Sequence, residues 1–82
     1  MTASVLQASS VLGRRATIRE GATRFLRESG QYPGSLPADG VDGVTGTIVS
    51  DYTDLPGNDA HYGVMIGFAV IVGVHPDHLE IH

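Results

Sequence analysis

The chain has no cysteine, no tryptophan and no lysine. Without cysteine it has neither a disulfide nor a thiolate metal site to brace it, a composition that suits a reducing compartment. Long apolar runs are missing too. The longest, Phe68 to Val74, contains a glycine and falls far short of the roughly 20 residues a membrane helix needs, so no membrane partner is expected. The opening "MTASVLQASSVLGRRAT" lacks a charged start followed by a continuous apolar stretch, so it does not read as a secretory signal. A cytoplasmic location is the expectation.

Catalytic patterns are also absent. No serine sits in a G-x-S-x-G setting, and the glycines form neither GxxxxGK[ST] nor GxGxxG. The pairs Asp39/Asp42 and Asp51/Asp54 fall in or beside loop-like stretches, where solvated charge explains them better than acid–base chemistry. Their spacing lacks the ligand density of a calcium loop. The expectation is no enzyme and no cofactor.

What is present is unevenly placed. All five cations are arginines: Arg14, Arg15, Arg19, Arg24 and Arg27. Set against Glu20 alone, they leave residues 1–27 at +4, while residues 28–82 carry eight acids and no cation, −8. Such a split suggests two segments with different partners, or head-to-tail contact between copies. Neutralisation within one domain is the plainer account. With 82 residues the chain makes one small domain, and at this size self-association or a partner often adds the missing stability.

Residues 1–15 read as a flexible or partner-ordered arm, and 16–82 as the folded domain. "ATIREGATRFLRESG" (16–30) has two readings. Val11, Ile18, Ala22 and Phe25 follow helix-like spacing, with Gly30 as a C-cap. Gly21 would interrupt that helix, and Thr17, Ile18 and Thr23 are β-branched, which argues for a turn at Glu20-Gly21 and a strand over 22–27. The strand is the preferred expectation, and the sequence leaves the helix open.

"GQYPGSLPADGVDG" (30–43) is a loop with two prolines and four glycines. Tyr32, Pro33, Leu36 and Pro37 make it apolar and aromatic, suited to a partner surface. "VTGTIVSDYT" (44–53) alternates as a strand, with Gly46 at a bulge or a close backbone approach. Pro56-Gly57 fits a type II turn. "AHYGVMIG" (60–67) alternates again, Gly67 opens a tight turn, and "FAVIVGV" (68–74) reads as a strand buried on both sides. At least three of the five aromatics (Phe25, Tyr32, Tyr52, Tyr62, Phe68) are expected in the core.

The ending "VGVHPDHLEIH" places His75, His78 and His82 within eight residues. A zinc site needs three or four ligands converging on one point. Pro76 bars a helix continuing through this stretch. In a 3₁₀ turn His75 and His78 approach each other while His82 lies beyond Ile81. The preferred expectation is a turn begun by Pro76, with Leu79 and Ile81 plugging the fold. Metal binding through His75, His78 and His82 is the weaker alternative.

From Gly43 onward, "GVTGTIVSDY" and "HYGVMIGFAVIVGVHPDHLEI" resemble the Src-homology-3-like (SH3-like) small barrels, including the KOW type. There a hairpin strand ends at a proline, a 3₁₀ turn follows, and a short last strand closes the barrel. The resemblance covers about half the chain and implies an all-β fold: a small antiparallel barrel of about five strands with an N-terminal arm. Arginine-only cations, short length and the arm also look like small actinobacterial phage or plasmid proteins.

The function expected is therefore a non-enzymatic protein-binding or assembly module, in the phage setting a virion component, capsid-decorating or connector-associated. Its contacts would be Arg14, Arg15 and Arg19 of the basic segment and Tyr32, Pro33, Leu36 and Pro37 of the loop. The partner would be another protein or a second copy. KOW-type barrels contact RNA, so nucleic-acid binding through the arginine-rich segment is the alternative.

Overall fold

The computed structural model describes residues 11–82. Five strands form one antiparallel sheet: β1 (Arg15–Ile18), β2 (Thr45–Tyr52), β3 (His61–Ile66), β4 (Ala69–Val74) and β5 (Leu79–Ile81). One helix, α1 (Ala22–Glu28), lies between β1 and β2, and 3₁₀ turns occupy Gly57–Asp59 and Pro76–His78. The all-β class holds.

The strand order is β4-β3-β2-β1-β5. The expected barrel does not close, because β4 and β5 remain the two edges of an open sheet. One reason is the long segment between β1 and β2. Ala22 and Leu26 of α1, with Leu36 and Val41 of the following loop, join Ile18, Ile48, Val64, Ile71, Val74 and Leu79 in one buried cluster. They cover one face of the sheet.

The strand preferred over 22–27 is instead helix. Gly21 does not interrupt the helix but stands at its N-cap, left-handed at φ 96°. The β-branched signal of Thr17 and Ile18 belongs to β1, which precedes it. Ala22 and Leu26, four apart, share the buried stripe. At the other end Gln31 N–H bonds the Leu26 carbonyl at 2.8 Å and Gly30 N–H the Arg27 carbonyl at 3.1 Å, with Gly30 at φ 75°. That pair of bonds is a Schellman stop, so Gly30 acts as the C-terminal glycine foreseen.

A seven-residue helix is marginal alone. Its missing N-terminal cap comes from the loop. Asp42 accepts from Gly21 N–H (2.9 Å), Thr23 N–H (3.0 Å) and the Thr23 hydroxyl (2.7 Å). The Thr23 hydroxyl bond leads in holding this carboxyl below its usual value. Partial burial opposes it, and the two backbone N–H groups and the positive charge of protonated His78 add to it.

Of the arm expected over 1–15, residues 1–10 lie outside the described residues. Residues 11–15 belong to the folded body. Val11 packs on the core, Gly13 N–H bonds the Ile48 carbonyl (2.8 Å), Ile48 N–H bonds the Arg14 carbonyl (2.9 Å), and Arg15 begins β1.

Two bulges bend the sheet. Val49 is the extra residue between Ile48 and Ser50 on β2, and Val72-Gly73 together oppose Gly63 from β4. Gly46 is not a bulge but a close approach. A Cβ there would lie 2.5 Å from the Met65 carbonyl oxygen.

Candidate functional site

Alternation along the β3–β4 hairpin decides what faces out. Val64, Ile71 and Val74 are buried, and Ile66 packs beside them. Met65 and Val70, paired across the ladder, point the other way, as does Val72. They are 40, 44 and 54% exposed. "FAVIVGV" is therefore not a strand buried on both sides. It is an edge strand, buried on one face and apolar on the other.

Phe68 tops the hairpin. Ile66 and Ala69 pair, leaving Gly67-Phe68 as a two-residue turn with Gly67 at φ 60°. Among the described residues no non-glycine residue, Phe68 included, has positive φ, so the turn is of the II′ kind, with glycine first. This places Phe68 at the tip, fully exposed at 110%. Val49, at the β2 bulge, is exposed beside the strip.

The rest of this outer face is polar. Thr47 follows Met65 in the same row, and Arg15 follows Thr47. Thr17 and Thr45 join hydroxyls at 2.8 Å, and His82 Nε2 lies 2.6 Å from the Thr17 hydroxyl. Tyr52 and His61 stack, ring centres 5.1 Å apart, where β3 begins. One face thus divides into an apolar half on β3 and β4 and a hydroxyl-rich, charged half on β1 and β5.

The residues singled out in the sequence are scattered. Leu36 is buried in the core cluster and also lines an open depression beside Tyr32. Tyr32 is half-buried, its hydroxyl donates to the Pro37 carbonyl, and the Arg27 guanidinium sits 4.8 Å over its ring. Pro33 lines an open depression of about 380 Å³ with Tyr32 and Arg27, while Pro37 is exposed. The loop is largely packed on its own side chains. Arg14 donates to the His82 carbonyl, Arg15 is exposed on β1, and Arg19 is exposed just past it. Arg24 pairs with Glu28 at 3.1 Å on the helix surface. Arg14 and Arg15 adjoin at the start of β1, Arg19 follows its end, and Arg24 lies on α1.

The three C-terminal histidines part company. His75 and His78 come near each other, ring centres 6.2 Å apart, across the 3₁₀ turn. Asp77 N–H donates to His75 Nδ1 at 3.1 Å, and Phe25 packs against His78 at 5.3 Å. His82 is held away from both by Thr17. Among the described residues no three His, Asp or Glu side chains are grouped to hold a metal. Among the same residues no helix is long and apolar enough to cross a membrane.

The aromatics expected in the core are not there. No aromatic is among the buried hydrophobic residues; Tyr32 and Tyr62 flank the cluster, and Tyr52 and Phe68 are exposed. Burial, and then the charge of Asp51, raise the Tyr62 phenol above its ordinary value.

Met65, Phe68, Val70 and Val72 were missed as a surface. A continuous apolar run is the mark of a strand buried on both sides, and edge position is a tertiary fact. One cue was local. A two-residue turn opening on glycine puts the next residue, Phe68, at a hairpin tip.

No protein-family model matches the chain, and no curated protein or solved structure matches it either.

Proposed function

We propose that this chain is a non-enzymatic assembly module that joins protein chains through the outer face of the β3–β4 hairpin. The observation that carries this reading is the strip Met65, Phe68, Val70 and Val72, apolar, uncharged and headed by a fully exposed aromatic. A small domain with few aromatics has no folding reason to leave one at a hairpin tip. Contiguous apolar surface of this kind marks contact sites. Aromatics and methionine are enriched in such contacts and charges are depleted.

For the architecture we favour an SH3-like arrangement left open along one side. It is supported by the order β4-β3-β2-β1-β5 and by the 3₁₀ turn leading into a short β5 that pairs with β1. The KOW-type nucleic-acid alternative gains no comparable support, since Arg14, Arg24 and Arg27 are engaged within the chain. A virion setting is not needed by the assembly reading.

The test is solution mass by light scattering at two salt concentrations. The expected result is a discrete multimer that survives high salt, because apolar contact is not screened, and that Phe68→Ser weakens. A monomer indifferent to Phe68→Ser that retains nucleic acid at low salt would replace this reading with the KOW-type one.

A further inference from the structure

Resting on that assembly reading, we infer that the partner is a second copy of this chain, joined edge to edge through β4 to form a two-fold, ten-stranded sheet. Edge strands normally carry a guard against such pairing: a lysine, a proline, an inward charge, or cover from another element. β4 and the turn before it, "GFAVIVGV" from Gly67 to Val74, contain no charged residue and no proline. Beyond the ladder with β3, no hydrogen bond among the described residues reaches the backbone of 68–74.

Cover exists at one end only. The Gln31 side chain lies against Gly73, where a Cβ would meet its amide oxygen at 2.5 Å. The bulge at Val72-Gly73 also turns the strand there. The free stretch is therefore 68–72, and its centre is Val70.

That centre fixes the register. In an antiparallel pair related by a two-fold axis, opposite residues have a constant sum of numbers and share a face. Centring on Val70 sets Val70 against Val70 of the second copy, Phe68 against Val72, and Ala69 against Ile71. Every outward residue then meets an outward residue. The two apolar strips join, with Phe68 of each turn brought to the same end as Val72 of the other copy. Ile71 and Ala69 continue the buried side of the sheet.

Charge agrees with this occupant. Two copies of a chain at net −4 repel each other, and this edge is a stretch where neither copy brings a charge.

The chain has no cysteine, so one engineered thiol reports cleanly. Val70→Cys places the two sulfurs across the axis at a Cα separation of roughly 4.5–5.5 Å, within disulfide range. Mild oxidation of Val70→Cys should give a covalent dimer on a non-reducing gel, while Val49→Cys, exposed but off the edge, stays single. Val70→Lys should convert the dimer to monomer in light scattering with an unchanged circular dichroism spectrum. A multimer that persists in Val70→Lys and does not cross-link at position 70 overturns the edge pairing and leaves the assembly reading standing. A wild-type monomer at every concentration overturns the pairing, and with nucleic-acid retention at low salt it overturns the assembly reading too.

Discussion

Gly46→Ala tests the packing on which the candidate surface stands. Gly46 sits in β2 with its α-carbon turned to the β3 backbone. An added Cβ would lie 2.5 Å from the Met65 carbonyl oxygen, 2.9 Å from Val64 Cγ1 and 3.0 Å from Ile66 Cγ1. The nearest atom is backbone, and it belongs to a residue of the β2–β3 ladder, so it cannot retreat without straining that ladder. Overpacking of this kind costs about 1–3 kcal/mol. Replacing glycine in a strand returns about 0.5–1 kcal/mol through the unfolded chain, leaving a net loss centred near about 1.25 kcal/mol and reaching about 2.5 kcal/mol. For a domain of this size the central value corresponds to a melting-temperature drop of roughly 5–10 °C. Gly34→Ala is the control, because its Cβ would meet nothing within 4 Å and Gly34 has no positive φ. Thermal unfolding followed by circular dichroism reads both. An unchanged melting temperature for Gly46→Ala would mean that β2 and β3 do not approach as described.

Asp42→Ala should cost about 0.5–2 kcal/mol, as loss of a helix cap does, even though the cap comes from 19 to 21 residues away. The folded carboxyl lies below the ordinary 3.8, so its contribution is full at neutral pH and fades as pH falls through and below 3.8. Wild type and Asp42→Ala should therefore converge in urea midpoint in strong acid, and a gap that stayed constant down to low pH would remove the ionised cap. Gly67→Val should lose more than about 1 kcal/mol from strain alone, since Gly67 is at φ 60° with open space around it; a neutral melting shift would refute the II′ turn. Phe68→Ser should leave monomer stability within about 0.5 kcal/mol, because the ring touches solvent on all sides; a large loss in dilute protein would mean that Phe68 packs within its own chain.

Much of the β half was legible in advance. Strict alternation over 44–53 and 60–67, and glycine at 67, put β2, β3 and the β3–β4 turn close to where they stand. Pro76 marked the 3₁₀ turn, and Leu79 reached the core as expected. The errors share a cause. Residues 22–27 carry little helix signal of their own, and the cap that makes them helical, Asp42, lies across a loop whose course the sequence does not state. The run 68–74 is apolar on both faces, and alternation cannot tell a central strand from an edge.

Composition and periodicity alone determined an all-β chain without disulfides, with its turns at Gly30, Pro56-Gly57, Gly67 and Pro76, because those depend on backbone preferences acting over a few residues. The tertiary structure decided the rest: that Leu36 turns inward, that His82 leaves the other histidines for Thr17, that the sheet stays open, and that the outward side chains of β4 stay exposed. These outcomes depend on which distant segments compete for the same buried face, and a competition of that kind is settled only when the whole chain has packed.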